Sequence, residues 1–335
     1  MSRLYKQLLV IFVLIVAVVV VDGWRALHTA LNIDEPVEYN FDMGASSKAL
    51  ASDLAQHGWL ARPYYFSYWL RISGNARKLK AGEYIIEPGT TPLTLLEQML
   101  IGKVKLYSVT LIEGRTFRDY LNRIQASEDI KHTLQDKSAA EIMAAIGHAG
   151  EHPEGRFFPD TYSFPHGMDD VRFLQRAYNA MQKNLQQAWE SRDPKLPFNS
   201  PYEALIMASI VEKETALGSE RRQIAGVFIN RLRINMRLQT DPTVIYGIGP
   251  DYNGNIRSKD LLDDTPYNTY TRKGLPPTPI AMPGIDAIDA VMHPDATAYL
   301  FFVARGNGSG SHIFSTNLQD HEAAVDKYQR KRARK

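Results

Sequence analysis

The side chains best placed to do chemistry are two carboxylates in one short string, Val211-Glu212-Lys213-Glu214-Thr215. They follow a nearly continuous apolar run from Ala204 to Val211, and a helix apolar on most of its faces is expected at the centre of a domain. Glu214 stands three and four residues after Val211 and Ile210 and seven after Met207, so it shares their face. Glu212 is rotated by about 200° from it and must meet different surroundings. A carboxyl group on an apolar wall keeps its proton to higher pH, which suits a general acid near neutrality. Phase favours Glu214. Glu212 follows Ala208 and Leu205 and is not excluded, and a merely solvated helix end is the plain alternative.

Several elements must position this helix. Asn199 or Ser200 is expected to cap it, with Pro201 in its first turn, and it is expected to run on to Gly218. Ser219 would then cap a following helix with Ile224, Val227, Phe228 and Leu232 on one stripe. Asp241-Pro242 reads as a turn, and Gly247 and Gly249 as points of close approach. The string "DTPYNTYTRKGLPPTPIAMPG" is too rich in proline to be helical. It reads as an extended loop whose amides and hydroxyls suit a ligand with many hydroxyls. Upstream, "EGRFFPDTYSFP" reads as a rigid aromatic loop. Phe157 and Phe158 fit either a sugar platform or a hydrophobic staple, whereas the polar ends of Asp160 and Tyr162 need partners and point to binding. Helical patterns are expected over Lys131 to Ala149 and Val171 to Ser191.

The chain opens on a different kind of segment. Leu8 to Val21 is unbroken apolar sequence, preceded by Arg3 and Lys6, and the pattern extends to aromatic ends at Tyr5 and Trp24. Fourteen apolar residues fall short of the roughly 20 of a full span, so a signal-peptide core competes. The following "DGWRALHTALN" lacks a small-x-small cleavage pattern, which favours a retained anchor. The basic flank puts the N-terminus in the cytoplasm and the rest outside.

Next come an expected strand at Pro36 to Met43, a helix capped by Ser46 or Ser47, and a helical stretch ending at Gly74. A short strand from Gly82, a turn at Pro88-Gly89 and a helix capped by Thr91 and stopped at Gly102 complete the segment. "KLYSVTLIEG" is then an expected strand, and Thr116 an expected cap.

Composition removes several classes of function. Without cysteine there is no thiol catalysis, disulfide or thiolate metal site. A net charge of +2 carries no instruction to bind nucleic acid. The C-terminal run Lys327, Arg330, Lys331, Arg332, Arg334 and Lys335 reads as a solvated end, since no aromatic residues interleave its last five positions. The nine histidines read as scattered, so no metal and no cofactor is expected.

The strings "ASIVEKET", "RLQTDPTVIYG", "YNTYTRKGLPPTPIAMPG" and "HPDATAYLFFVA" closely resemble those of the YceG-like endolytic murein transglycosylases. The resemblance runs from the apolar segment to "HIFSTNLQDH". It implies an α+β protein with an N-terminal transmembrane helix, a small LysM-like α/β module, and a larger mixed α+β catalytic domain whose central buried helix carries the catalytic Glu. The corresponding divisions are 1–25 for cytoplasmic tip and anchor, 35–105 for the module, 106–328 for the catalytic domain and 329–335 for a basic tail. The family's catalytic residue is the second glutamate of "EKET", here Glu214. The implied reaction cleaves the β-1,4 bond between N-acetylmuramic acid and N-acetylglucosamine without water, leaving a 1,6-anhydro end. Asp160, Tyr162, Gln239, Asp241, Asn268 and Tyr270 are the candidate substrate-binding residues. The implied setting is the periplasmic face of the inner membrane, on nascent peptidoglycan strands beside peptidoglycan synthases. A hydrolytic muramidase, with Asp160, Asp241 or Glu212 as its second carboxylate, and a non-catalytic peptidoglycan-binding scaffold are the competing readings.

Overall fold

A computed structural model describes residues 3–42, 44–215 and 217–330. Met43, at the end of the expected first strand, and the tail residues Lys331, Arg332, Arg334 and Lys335 lie outside the described residues. The protein is mixed α+β with an apolar N-terminal helix, and it divides into two compact units.

The first unit comprises residues 1–107 and 163–167. It contains α1 (Arg3–His28), β1 (Val37–Phe41), α2 (Ser47–Gln56), α3 (Pro63–Ile72), β2 (Gly82–Ile86) and α4 (Pro92–Ile101). α1 is about 39 Å long at 1.5 Å per residue, well beyond its 14-residue apolar run and enough to cross a bilayer. Strands β1 and β2 pair antiparallel with Tyr39 opposite Tyr84. Alternation buries Tyr39, Phe41, Tyr84 and Ile86 against Leu50, Leu54, Phe66, Leu70, Leu95 and Met99 of the helices. Ser46 caps α2 and Thr91 caps α4, and Gly102 stops α4 in the left-handed region. Gly82 has a φ of +143°, and a Cβ there would lie 2.7 Å from Val104. The expected succession of strand, turn and helix is present as β2 and α4, and β2 finds its strand partner in β1, with two helices between.

The chain passes to the second unit within β3 (Leu106–Thr110), which pairs with β5 (Thr161–Pro165). Between them lie α5 (Phe117–Gln125), β4 (Ile130–Lys131) and α6 (Ala139–Ala145). Reciprocal capping boxes start α5 at Thr116/Asp119 and α6 at Ser138/Glu141. Continuous helix over Lys131 to Ala149 is therefore not found. Asp170 draws Thr133 and Leu134 into a turn through backbone N–H bonds of 2.9 Å each, and the helix starts only after Ser138.

After β6 (Met168–Asp169) come α7 (Asp170–Glu190), α8 (Pro201–Glu214) and α9 (Arg221–Arg233). They are followed by α10 (Asp241–Ile248), α11 (Ser258–Leu262) and α12 (Ile285–Met292). An antiparallel pair, β7 (Phe301–Ala304) and β8 (His312–Ser315), precedes α13 (Leu318–Val325). Ser200 caps α8 by accepting the Glu203 N–H, with Pro201 at its start. Every residue from Ala204 to Val211 is buried, against α7, α9, α10 and α12. Each large aliphatic side chain so buried contributes about 1.5–3 kcal/mol, which makes α8 the axis of this unit. Its one polar member, Ser209, donates to Ile206 O at 2.7 Å and accepts the Ile280 N–H at 3.0 Å, tying the proline-rich loop to the helix.

Three expected boundaries shift. α8 stops at Glu214, not Gly218, because Thr215 turns extended while its N–H still reaches Val211 O. Ser219 lies inside a 3₁₀ turn and caps nothing; α9 starts two residues later. Asp241-Pro242 opens α10 instead of forming a simple turn, with proline in the first turn, where its missing N–H costs nothing. Residues 264–284 contain neither helix nor strand, as their prolines require.

Candidate functional site

α8 ends where its two glutamates leave it on opposite sides. Glu212 Oε2 accepts the Gly284 N–H at 3.0 Å, and Oε1 lies 3.9 Å from the Arg221 guanidinium. Arg221 in turn pairs with Asp286 at 2.9 Å. Lys213 between the glutamates donates to Gly114 O at 3.1 Å, and Gly114 N–H reaches Met282 O at 2.8 Å. This side of the helix end is thus a clamp. Burial pushes the Glu212 carboxyl up, opposed by the Gly284 N–H and by Arg221.

Glu214 meets a different set. Thr240 donates its hydroxyl to Oε1, and Asp241, His312 and Arg231 act on the carboxyl through space. The residue stays partly accessible although its carboxyl is largely withdrawn from water. Burial holds its proton above the ordinary carboxylate range, against the pull of the Thr240 hydroxyl; Asp241 adds to the rise, while His312 and Arg231 oppose it. The walls are therefore polar and pre-arranged, not the bare apolar surface that helical phase suggests.

Thr240 is held in place by its neighbours. Its N–H donates to Thr269 Oγ1 at 3.1 Å, Thr243 donates to its carbonyl at 2.7 Å, and the Thr243 and Thr269 hydroxyls are 2.8 Å apart. Gln239 just before it has a φ of +49°, uncommon for a side chain of its kind, so the turn presenting Thr240 is strained. Thr240 occupies the cap position of α10 yet makes no side-chain cap bond. Its hydroxyl goes to Glu214 instead. Arg231 is buried and fixed by carbonyls, Nε to Leu300 at 2.6 Å and Nη1 to Leu238 at 2.5 Å, so its charge stands near Glu214 without bonding to it. His312 Nδ1 meets Glu220 Oε2 at 2.7 Å, and the same carboxylate accepts the His312 backbone N–H.

Of the six residues expected to bind substrate, two gather here. Tyr270 donates to Asp241 Oδ1 at 2.6 Å, and both lie within electrostatic reach of Glu214. Gln239 is exposed one residue before Thr240. Asn268 is a correction: it is buried, its amide faces the carbonyls of Asp260, Leu261 and Asp263, and its oxygen accepts the Tyr270 N–H. It staples the loop that presents Tyr270 and has no donor left for a ligand. Asp160 and Tyr162 also bond locally. Asp160 accepts the Thr161 N–H at 2.7 Å, and Tyr162 is buried, donates to Phe158 O at 2.8 Å and packs edge-on against Phe173. Phe157 is fully buried on Phe117, which makes it a staple, not a platform.

Thr240, Arg231 and Glu220 went unmarked in the sequence, and His312 reads there as structural. Only Thr240, at the start of a Thr-Asp-Pro helix opening, leaves a trace there.

A cleft of about 900 Å³ runs up to Lys213 and Pro242, the chain neighbours of Glu214 and Asp241. Phe117, Tyr246 and Tyr252 line it, and Glu154 sits in its wall. Glu154 accepts the Phe117 N–H at 3.0 Å and the Tyr246 hydroxyl at 3.1 Å, and burial pushes its carboxyl up to about 7. Gly247 allows the cleft's α10 to approach the loop: a Cβ there would lie 3.1 Å from the Thr265 hydroxyl.

His148 and His152 do stand four residues apart, a spacing that the reading of scattered histidines passes over. The segment is not helical, however, so they share no face; His148 stacks on Tyr178, and His152 accepts the Glu154 N–H. Among the described residues no three His, Asp or Glu side chains gather as metal ligands.

The description "YceG-like family" matches residues 39–327. An endolytic murein transglycosylase of Bacillus subtilis is 31% identical over 311 residues, covering 87% of this chain and 84% of the relative. An endolytic murein transglycosylase of Streptococcus pneumoniae is 26% identical over 96% of this chain, which spans 65% of that longer protein. A crystal structure of a yceG-like protein from Listeria monocytogenes superposes with a TM-score of 0.54 at 27% identity, over 86% of this chain and 99% of that one.

Proposed function

The chain belongs to the YceG-like family, and from that footing we propose that Glu214 is the single acid–base residue of a lytic transglycosylase acting on peptidoglycan. The protein is an enzyme that cleaves the glycan of the cell wall, as its relatives' names indicate. One observation carries the assignment of Glu214: it is a partly accessible carboxyl, at the end of the buried α8, whose proton burial holds above the ordinary carboxylate range and which a fixed hydroxyl orients. Neutral Glu214 donates its proton to the oxygen bridging N-acetylmuramic acid and N-acetylglucosamine. The carboxylate so formed then takes the proton of the muramic 6-hydroxyl as that oxygen closes on its own anomeric carbon. The product is a 1,6-anhydro end, and Glu214 is protonated again. One carboxyl serves both steps because no water is activated.

A hydrolase would need a second carboxylate about 5–9.5 Å away as base or nucleophile. Asp241 is the nearby candidate, but its Oδ1 is occupied by the Tyr270 hydroxyl. In this reading the Asp241–Tyr270 pair and exposed Gln239 contact substrate at the mouth of the site. The first unit, with its own core, is the LysM-like glycan-binding part.

α1 is a single-pass anchor in the inner membrane, its Arg3 and Lys6 end cytoplasmic and the two units periplasmic. Retention, not cleavage, is supported by the far end of α1. The helix runs unbroken from the apolar stretch to His28, and Leu27 with the following Leu31 belongs to the core of the first unit. Being held at the membrane directs the enzyme to strands as they are made, beside the synthases that make them.

Mass spectrometry of products from the purified protein on uncrosslinked glycan tests the chemistry. Anhydro ends are expected. Ends heavier by one water would establish hydrolysis instead, and no cleavage by a folded protein would favour the scaffold reading.

A further inference from the structure

One helix of the first unit has a face that the unit's own core does not use. α3 buries Phe66 and Leu70 in that core, yet Tyr64, Tyr68 and Ile72 are 61%, 65% and 57% exposed. Their spacing of four residues puts them on one stripe. A contiguous aromatic and aliphatic stripe turned to water marks an interaction surface. Arg71, Arg77 and Lys78 lie exposed at the C-terminal end of the same helix and just beyond it.

The far end of α1 lies directly beside this helix. Gly23 backs onto the ring of Tyr65, where a Cβ would come within 3.1 Å, and Arg62 is bonded to Asp22. Tyr5 to Gly23 spans 18 steps, about 27 Å at 1.5 Å per residue, close to the roughly 30 Å of a bilayer's hydrocarbon core. The side chains of that stretch are turned outward with none of their apolar window buried. Trp24, also exposed, then falls at the level where aromatic rings anchor spans. α3 is tied to Asp22 and Gly23 through Arg62 and Tyr65, so its first turn sits at the same level.

We propose that the Tyr64–Tyr68–Ile72 face of α3 docks on the lipid surface beside the protein's own anchor. This rests on the reading of α1 as a span. The tyrosine rings lie among the headgroups with their hydroxyls toward water, and Arg71, Arg77 and Lys78 meet lipid phosphates. The occupant is lipid because the stripe stands on the helix whose start is bonded to the far end of α1, and it combines amphipathic rings with positive charge.

The chain's lack of cysteine permits a clean test. Single substitutions Val16→Cys, Trp24→Cys, Tyr68→Cys and Ile72→Cys in the full chain would carry an environment-sensitive fluorophore. The variants would be reconstituted in vesicles of phosphatidylethanolamine and phosphatidylglycerol containing a lipid-borne quencher. Quenching at Tyr68→Cys and Ile72→Cys to the level seen at Trp24→Cys is the expected result. Strong quenching at Val16→Cys with none at either α3 position overturns the docking and leaves the anchor standing. No quenching at Val16→Cys removes the anchor, and the docking with it. Melting curves establish folding, and Ile72→Cys decides the matter if Tyr68→Cys does not fold.

Discussion

On one side of the last turn of α8, Glu212 is held by a backbone N–H and an arginine that is itself paired with Asp286. On the other side, Glu214 is held by one threonine hydroxyl, with the surrounding charges close but not bonded to it. Burial raises both carboxyls. They differ in what is left over. Glu212 is committed to joining α8 to the loop before α12, and a proton moving on or off it would disturb that joint. Glu214 can change protonation with only Thr240 to readjust. On the proposed assignment, a buried, shifted carboxyl does not by itself mark the acid; freedom from backbone partners sets it apart.

The largest effect that would break this contrast is on turnover. Glu214→Gln should lower cleavage by about 10²–10⁴-fold without lowering the melting temperature, since a neutral amide still accepts from Thr240. Substantial residual rate, measured as anhydro ends formed per folded molecule, would move the acid elsewhere.

Glu154 offers the next test, because it is held like Glu212 but lines the cleft. Its carboxyl is raised from 4.5 to about 7, so the folded state binds more protons than the unfolded between those values. Its contribution is complete below about pH 4.5 and is lost as pH climbs through about 7, amounting to roughly 3 kcal/mol at most. Denaturant titrations of Glu154→Gln across that window should show a flatter pH dependence than the parent. An unchanged slope would mean that Glu154 ionises normally.

Glu212→Ala leaves the Gly284 N–H and Arg221 without their carboxylate, so stability should fall by about 1–3 kcal/mol while folded protein still cleaves. Loss of chemistry in a fully folded variant would erase the division of labour between the two glutamates. The smallest and most specific effect belongs to Thr240→Val. The Thr240 hydroxyl holds the Glu214 proton less tightly than burial alone would, so its removal should shift the alkaline limb of the rate profile to higher pH. A shift downward in that profile would reverse the assigned role.

Much of this arrangement is legible in the sequence, and unevenly. The apolar run from Ala204 to Val211 fixes α8 as a core helix, and the glycine and capping signals mark α2, α4 and α5 closely, because those are local effects of backbone geometry. The partners of Glu214 come from α9, the start of α10 and β8, brought together by packing that no spacing along the chain records. Asn268 shows the opposite failure. A polar residue in a polar loop looked available, and only the three carbonyls around it reveal that its amide is already used. Tyr162 likewise needed a partner and found one four residues back, not on a ligand.

The joining of α1 to the core of the first unit through Leu27 and Leu31 has one more consequence. With α1 in a bilayer there is no slack tether between lipid and fold, so this unit cannot wander outward like a bead on a string. Its motion becomes two-dimensional, at a fixed height above the lipid. Encounter is then governed by lateral diffusion and by how many strands cross that plane, and lengthening the link should widen the sampled layer while diluting the protein within it.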